Sequence, residues 1–464
     1  MSGLSDELRA VAGRLGDREA LVDGEVRLTF RELEGRAARL AGYLGARAEP
    51  GRTVAFLGPN SWQLVAAIFA CAYSRTVLVP VNRRLAADER DAVLADADAA
   101  VTIEDLDDEA LFAAEPLRHP AADDDAVVQM YTAGFGGRAL GALLTHRGLV
   151  TQAREFAESM DLGPDDAYLT TGPFFHIATM FSSLGYLFAG GRVVVMSRFD
   201  ADDAARRIER ERITGLFLVE PMTSRLLAAI DRLGTEPGSL RRGVGGRSPA
   251  ALRLRERAGI AFWGDVYGQT ELTGIVTRPA PDAIGSNGIP KSSAEVRIVD
   301  DAGAVLGPGA VGEIVVRGPS VMLGYANDPD ATADKIRDGW LHTYDLGRLE
   351  SDGSLSFIGP KRMLIKTGGE NVYPVEVEAA IRAMPAVADV CVIGIPDAQW
   401  GELVTSVIAI RDGEGLTADE VDEHCRRLLA GYKRPRRVEI VEELPKGADG
   451  RVDREAVVAR WGTG

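Results

Sequence analysis

A chain of 464 residues exceeds what one ordinary hydrophobic core holds, so several folded units are expected. Apolar residues at 46% and charged residues at 26% describe a globular protein and argue against a disordered or membrane-spanning one. Lys and Arg total 53 against 69 Asp and Glu, and the net charge of -16 repels nucleic acid, so any anionic small molecule must be met by local basic groups and backbone N–H.

The opening residues, Met1 to Glu7, lack a basic n-region and an apolar h-region, and the sequence is read as cytoplasmic. Residues 20–30 read as a hairpin around Asp23-Gly24, and Leu33, Ala37, Leu40, Ala41 and Leu44 then recur at helical spacing. Residues 64–73 form the longest apolar stretch, far short of a membrane span, so no membrane insertion is expected. Strands are expected at 53–57, 77–81, 192–196 and 215–219, alternating with helices in α/β layers that favour parallel sheets. From Ala294 the texture changes to short strands at 295–299, 313–317 and 354–358, a smaller β-containing unit. Beyond it the spacing predicts helices at 375–384 and 419–430 and strands at 390–395 and 404–410, an α+β segment with a boundary near residue 360. Cys71, Cys391 and Cys425 have no metal-ligand spacing and read as buried reduced thiols.

Five segments carry chemistry. Residues 131–141, Tyr-Thr-Ala-Gly-Phe-Gly-Gly-Arg-Ala-Leu-Gly, contain a glycine loop able to approach a phosphate, or equally a tight strand-to-helix turn. Residues 263–271, Trp-Gly-Asp-Val-Tyr-Gly-Gln-Thr-Glu, gather a ring to stack a base, a glycine, a hydroxyl and a carboxylate for a divalent cation; the bland alternative is a polar turn. Asp345, within 338–347, suits two ribose hydroxyls or a capped turn. Residues 366–378, Lys-Thr-Gly-Gly-Glu-Asn-Val-Tyr-Pro-Val-Glu-Val-Glu, form a glycine turn that leads into a helix. Last come the basic run at 432–438 and Leu-Pro-Lys-Gly-Ala-Asp-Gly-Arg at 444–451.

The order and spacing of these blocks closely resemble the adenylate-forming superfamily of acyl-CoA synthetases, peptide-synthetase adenylation domains and luciferases. The resemblance covers nearly the whole chain. It implies an N-terminal AMP-binding domain over residues 1–360 and a small, mobile C-terminal lid domain over 361–464, with the site between them. In that family a carboxylate is joined to AMP from Mg-ATP, the small domain swings, and a thiol displaces AMP. By resemblance, Gly246, Arg247 and Ser248 border the adenine, Tyr267 stacks on it, Asp265 and Gly268 complete that wall, Thr270 meets the α-phosphate, Glu271 holds magnesium and Asp345 binds the ribose. His176 lies near the acyl carboxyl, with a core-edge histidine as the bland alternative, and Gly368 and Gly369 line the pantetheine channel. His176, Thr270 and Gly369 are thus the catalytic candidates. Lys433 and Arg434, with Arg436 and Arg437, suit the phosphates of coenzyme A or a solvated face.

Several ATP-handling positions depart from the family pattern. Its phosphate loop reads Thr-Ser-Gly-Thr-Thr-Gly-x-Pro-Lys-Gly; here Ala133 and Gly136 lose hydroxyls, Phe135 is apolar and Leu140 replaces lysine, with Arg138 as the one compensating charge. Pro360 falls on the nucleotide-contacting arginine and Met363 on the pivot aspartate, unless a shift in register brings in Lys361 or Arg362. Arg451 takes the place of the C-terminal catalytic lysine, and a planar guanidinium does not replace a compact ammonium. The losses fall on adenylation and spare AMP recognition and the thiol channel. The sequence thus reads as a non-adenylating ligase that takes a preformed acyl-adenylate, with its AMP moiety, and coenzyme A, working beside a separate adenylating enzyme and needing Mg only if ATP is used. The alternatives are a complete ATP-dependent synthetase and a non-catalytic binder of acyl-adenylate or acyl-CoA. The small domain is expected in the thiol-transfer orientation with Arg451 remote. Phe174, Phe175, Met180, Phe181 and Leu184 suggest an apolar acid pocket or simply helix core.

Overall fold

The computed structural model describes residues 3–104, 109–120, 122–133, 139–219, 221–243, 248–260, 265–279, 286–361, 365–411, 413–446 and 452–462, with the side chains of 109 and 133 excluded. Of the sequence expectations, those for Phe135, Gly136, Arg138, Gly246, Arg247, Arg362, Met363, Arg451 and the side chain of Ala133 lie outside the described residues.

Two five-stranded sheets form the large part. One runs Gly215–Leu216, Ala167–Thr170, Arg192–Val195, Glu19–Asp23 and Val26–Thr29; the other runs Val101–Ile103, Thr53–Phe56, Val77–Pro80, Ala126–Ala133 and Ala139–Thr145. Helical crossovers make most neighbours parallel, as the alternation of elements implies. Each sheet nevertheless ends in an antiparallel hairpin, so both are mixed. The strand expected at 215–219 is only Gly215–Leu216.

The helices form where the sequence caps and faces them. Thr29 accepts from the Glu32 N–H while the Glu32 carboxylate accepts from the Thr29 N–H, a reciprocal cap that opens Phe30–Gly45. Ser61 caps Trp62–Ser74, whose residues 64–74 are all buried. A helix apolar on every side belongs inside a protein, and this one shares a core with Phe30–Gly45, His146–Ser159, Ile177–Phe188 and both sheets. Ala201–Arg210, Met222–Leu233 and Pro249–Ala258 cover the far face of the first sheet, and Ala87–Ala97 that of the second.

A third sheet is antiparallel, with Glu295–Val299, Gly312–Arg317, Trp340–Leu349 and Leu355–Pro360 paired in that sequence. A fourth, beyond residue 361, pairs Val387–Asp397 with Gly401–Ile410, adds the hairpin Ile365–Thr367 and Glu370–Val372, and packs under Pro374–Arg382 and Ala418–Leu428. Cys71, Cys391 and Cys425 are buried free thiols, and burial raises their pKa values to about 12, 11 and 11. Among the described residues, no helix is long and apolar enough to cross a membrane.

Candidate active site

The glycine segment after Tyr131 joins two antiparallel strands, Ala126–Ala133 and Ala139–Thr145, and is therefore a hairpin connection, not a strand-to-helix turn. Leu140, where the family pattern has lysine, pairs across the ladder with Thr132 and is buried in the main core. An apolar side chain there stabilises the ladder and offers no charge to a phosphate.

The second motif folds as a tight antiparallel pair, Gly268–Gln269 against Gly274–Ile275. A Cβ on Gly268 would stand 2.0 Å from the Gly274 carbonyl oxygen, so only glycine permits this pairing. Tyr267, just before it, is buried, stacks on Phe357 with centroids 5.9 Å apart, and donates its hydroxyl to Asp345 Oδ2 at 2.7 Å. The base-stacking and ribose-binding candidates are thereby joined. Burial raises the Asp345 pKa, and the bond from Tyr267 and the charges of Lys335 and Lys366 oppose that rise. Thr270 opens the short 3-10 turn Thr270–Leu272. Glu271 is buried and accepts from the Tyr325 hydroxyl at 2.7 Å. Among the described residues, no group of three or more His, Cys, Asp or Glu gathers as a metal cage. A magnesium ion held chiefly by substrate phosphates needs as little as one protein carboxylate, which Glu271 could supply.

Ser248 is tied to structure as well as to the expected adenine wall, because its hydroxyl accepts from Ala251 N–H and caps Pro249–Ala258. Asp265 is half-buried in the segment leading to Tyr267. Pro360 closes its strand directly opposite Asp345. Lys361 Nζ is 2.8 Å from Asp301 and 3.1 Å from Glu313, so the cation expected as a substitute for the missing arginine is already paired.

The fourth motif brings the two parts of the chain together. Gly368 and Gly369 both have positive φ, 58° and 83°, and close the two-residue turn between Ile365–Thr367 and Glu370–Val372, a geometry that strongly favours glycine. A Cβ on Gly369 would meet Val219 Cγ2 at 2.6 Å, and one on Gly368 would meet the Trp400 ring at 3.0 Å. Next to the turn, the buried Glu370 carboxylate pairs with Arg84 and lies 3.2 Å from His176 Nε2. His176 is therefore half-exposed at a junction and not a core-edge residue. Burial pushes the Glu370 carboxyl up, but the hydrogen bond with His176 and the Arg84 charge outweigh it and hold the carboxyl below its ordinary range. Tyr373, three residues on, lies within electrostatic reach of Glu271 and Asp345. Arg84 was not foreseen, and nothing in its local sequence marks it.

Of the basic run, Lys433 is buried and bonds Glu89 at 2.7 Å and Glu376 at 2.5 Å, which commits the ammonium expected for coenzyme A phosphates. Arg434 pairs with Asp422 at 3.3 Å and Arg437 with Glu439 at 2.7 Å. Arg436 is different: it lies exposed over the Trp400 ring, 3.8 Å from the centroid, and among the described residues no carboxylate pairs with it. Trp400 in turn packs on Gly368, so the remaining free cation sits beside the glycine turn.

A cavity of about 240 Å³ is walled by Phe156, Tyr168, Ile177, Phe181, Arg242 and Gly268 among others. Of the expected pocket residues only Phe181 lines it; Phe174, Met180 and Leu184 are core, and Phe175 packs on Arg84 and His176.

The pattern of the AMP-binding enzyme family matches residues 8–326, and that of the AMP-binding enzyme C-terminal domain matches 376–451. The chain belongs to this family and is an enzyme of the acyl-CoA ligase type. It is 36% identical to a feruloyl-CoA synthase from Amycolatopsis sp over 471 aligned positions, 96% of each chain. Among solved structures it is similar to an amide bond synthetase from Marinactinospora thermotolerans, with 27% identity, full coverage of both chains and a TM-score of 0.89. It is also similar to o-succinylbenzoate CoA synthetase from Bacillus subtilis, at 30% identity and 97% coverage of each chain. A double mutant of that protein bound with its product analogue OSB-NCoA gives a TM-score of 0.86, and the complex with the acyl-adenylate intermediate OSB-AMP gives 0.69.

Proposed function

We propose that this chain is an acyl-CoA ligase that performs thioesterification, acyl-AMP plus CoA to acyl-CoA plus AMP, with adenylation from ATP impaired. The observation that carries the reading is the Gly368-Gly369-Glu370 turn, seated against Val219, His176 and Arg84. The likeness to the form bound with a CoA product analogue supports the same reading. In this reading Tyr267, Thr270 and Asp345 hold AMP, and the pantetheine arm passes the glycine turn. The thiol sulfur bonds to the acyl carbon, the bond to the phosphate oxygen of AMP breaks, and the thiol proton passes to His176 or water. Against adenylation stand Phe135, Leu140, Pro360, Met363 and Arg451 in the sequence and the paired state of Lys361.

We further propose that the chain divides at residue 360, that the part beyond it moves as the lid, and that a separate enzyme supplies the adenylate. The proposed setting is cytoplasmic, where the free thiols of all three cysteines stay reduced. The acid is proposed to be aromatic, as in the named substrate of the feruloyl-CoA synthase relative.

The match to that relative over 96% of each chain favours a second reading, a complete ATP-dependent ligase in which Glu271 holds magnesium. One experiment separates the two. Purified protein receives synthetic acyl-adenylate with CoA, then the free acid with ATP, magnesium and CoA. Acyl-CoA in the first assay with little pyrophosphate in the second supports the proposal; comparable turnover in both establishes the second reading.

A further inference from the structure

Lys335 closes the helix Pro329–Lys335 and is only 6% exposed. Lysine is almost never buried this deeply unless a carboxylate pairs with it. Here, among the described residues, the ammonium has one hydrogen-bond acceptor, the Thr343 carbonyl at 3.2 Å, and no carboxylate as an ion-pair partner. The Tyr344 ring covers it, 4.9 Å from the nitrogen to the centroid. A buried cation so sparsely paired costs stability, which calls for a use of its charge nearby.

That use lies two residues beyond Thr343, at Asp345. The Thr343 hydroxyl accepts the Asp345 N–H at 3.1 Å and donates to the Ile314 carbonyl at 2.7 Å, so Lys335 and Asp345 grip the same residue. Between them Tyr344 has a φ of 59°, in the left-handed region that a bulky side chain rarely enters. Its N–H donates to Glu313 Oε1 at 3.2 Å, and its carbonyl accepts the Lys361 N–H at 2.7 Å. Its hydroxyl donates to Asp334 Oδ2 at 2.5 Å and accepts from Arg337 at 2.9 Å. Backbone strain persists where neighbours over-determine it, and such points gather at ligand clamps. What this corner fixes is the place of Asp345. Four groups act on that carboxylate: the Tyr267 hydroxyl bonds it, Lys335 and Lys366 attract it, and Glu271 repels it. Lys366 is exposed to water, which screens it, whereas Lys335 is enclosed.

Resting on the reading above in which Asp345 holds the ribose of AMP, we propose that Lys335 is a positioning residue for the nucleotide. Its buried ammonium holds the corner 343–345 through the Thr343 carbonyl and keeps Asp345 an ionised acceptor for two ribose hydroxyls.

The test titrates AMP, and a dideoxy-AMP that lacks both ribose hydroxyls, into the full-length protein, Lys335→Met and Lys335→Arg by calorimetry over a pH series without magnesium. The native protein should bind AMP several-fold more tightly near neutral pH, and this preference should fade as acid protonates Asp345. Burial raises the Asp345 pKa and Lys335 opposes the rise, so loss of the ammonium raises it further. In Lys335→Met the fade should therefore begin at higher pH, with a several-fold smaller preference on the acid limb of the native curve. Lys335→Arg, which keeps a charge, should follow the native curve. The melting temperature of Lys335→Met should match or exceed the native value, because an apolar chain replaces a cation that has no carboxylate. An unmoved fade in Lys335→Met, an equal movement in Lys335→Arg, or a weakening that is the same for both nucleotides at every pH would overturn the proposal. A native protein that prefers AMP while any of these holds keeps Asp345 at the ribose and loses only the role of Lys335. A native protein that binds both nucleotides alike removes the ribose reading, and the proposal falls with it.

Discussion

Glu370 is one carboxylate serving two groups from another part of the chain, and its ionisation decides whether it serves them. Its pKa is lowered in the folded protein, so its contribution is complete above the ordinary carboxylate range and is lost as pH falls through the depressed value. Thioesterification by the native enzyme should therefore fall on the acid side, and Glu370→Gln should lower its rate by about 10- to 100-fold at neutral pH, the worth of a charged hydrogen bond. The variant should lose the part of the acid-side fall that is due to Glu370; a pH profile from acyl-adenylate and CoA reads both. A second residue prediction concerns the thiol substrate. Arg436→Ala should raise the KM for CoA several-fold with little change in kcat, because Arg436 is the cation of the basic run left without a carboxylate. Steady-state kinetics with varied CoA measures it. Here the sequence was only partly legible. It marked Tyr267 and Asp345, which the fold joins by one hydrogen bond, and it grouped Lys433 with Arg436 because both are basic. Which cation is free depends on Glu89, far away in sequence, and no local pattern contains that information.

Among elements, the two-glycine turn is the most demanding. Position 369 combines positive φ with contact to Val219, so Gly369→Ala should impose about 1 to 2 kcal/mol of backbone strain and push the turn from its seat. The expected outcome is a loss of more than tenfold in acyl-CoA formation from acyl-adenylate while the melting temperature changes by only a few degrees, since the turn lies at the edge of its sheet; an assay paired with a thermal melt checks this. Strand and helix positions were well legible where a period was clear, as in Glu295–Val299 and Phe30–Gly45. The hairpin on either side of the first glycine loop was not, because glycine loops that join two strands and those that lead into a helix share one composition.

At the scale of the molecule, Lys433 bridges Glu89 and Glu376 from the two parts of the chain, with the lysine side chain only 7% exposed. Removing one partner of such a buried group typically costs about 3 to 5 kcal/mol, well beyond a surface pair. Glu89→Lys would set two ammonium groups against each other there. It should enlarge the radius of gyration in small-angle scattering and reduce thioesterification, while the affinity for an adenylate analogue changes little. Because the native bridge is buried, moderate salt should not reproduce the effect.

The strands Ala126–Ala133 and Ala139–Thr145 pair along their length, and Leu140 anchors the second of them in the core. That ladder is a scaffold held by its own backbone pairing and by the burial of Leu140. Substitutions in the connection can accumulate without selection against misfolding, so catalytic competence toward ATP and the ability to fold are free to diverge in the history of such a chain. A lineage could shed or regain the first half-reaction through a handful of changes, and its relatives' names are a poor guide to which side of that line any one member occupies.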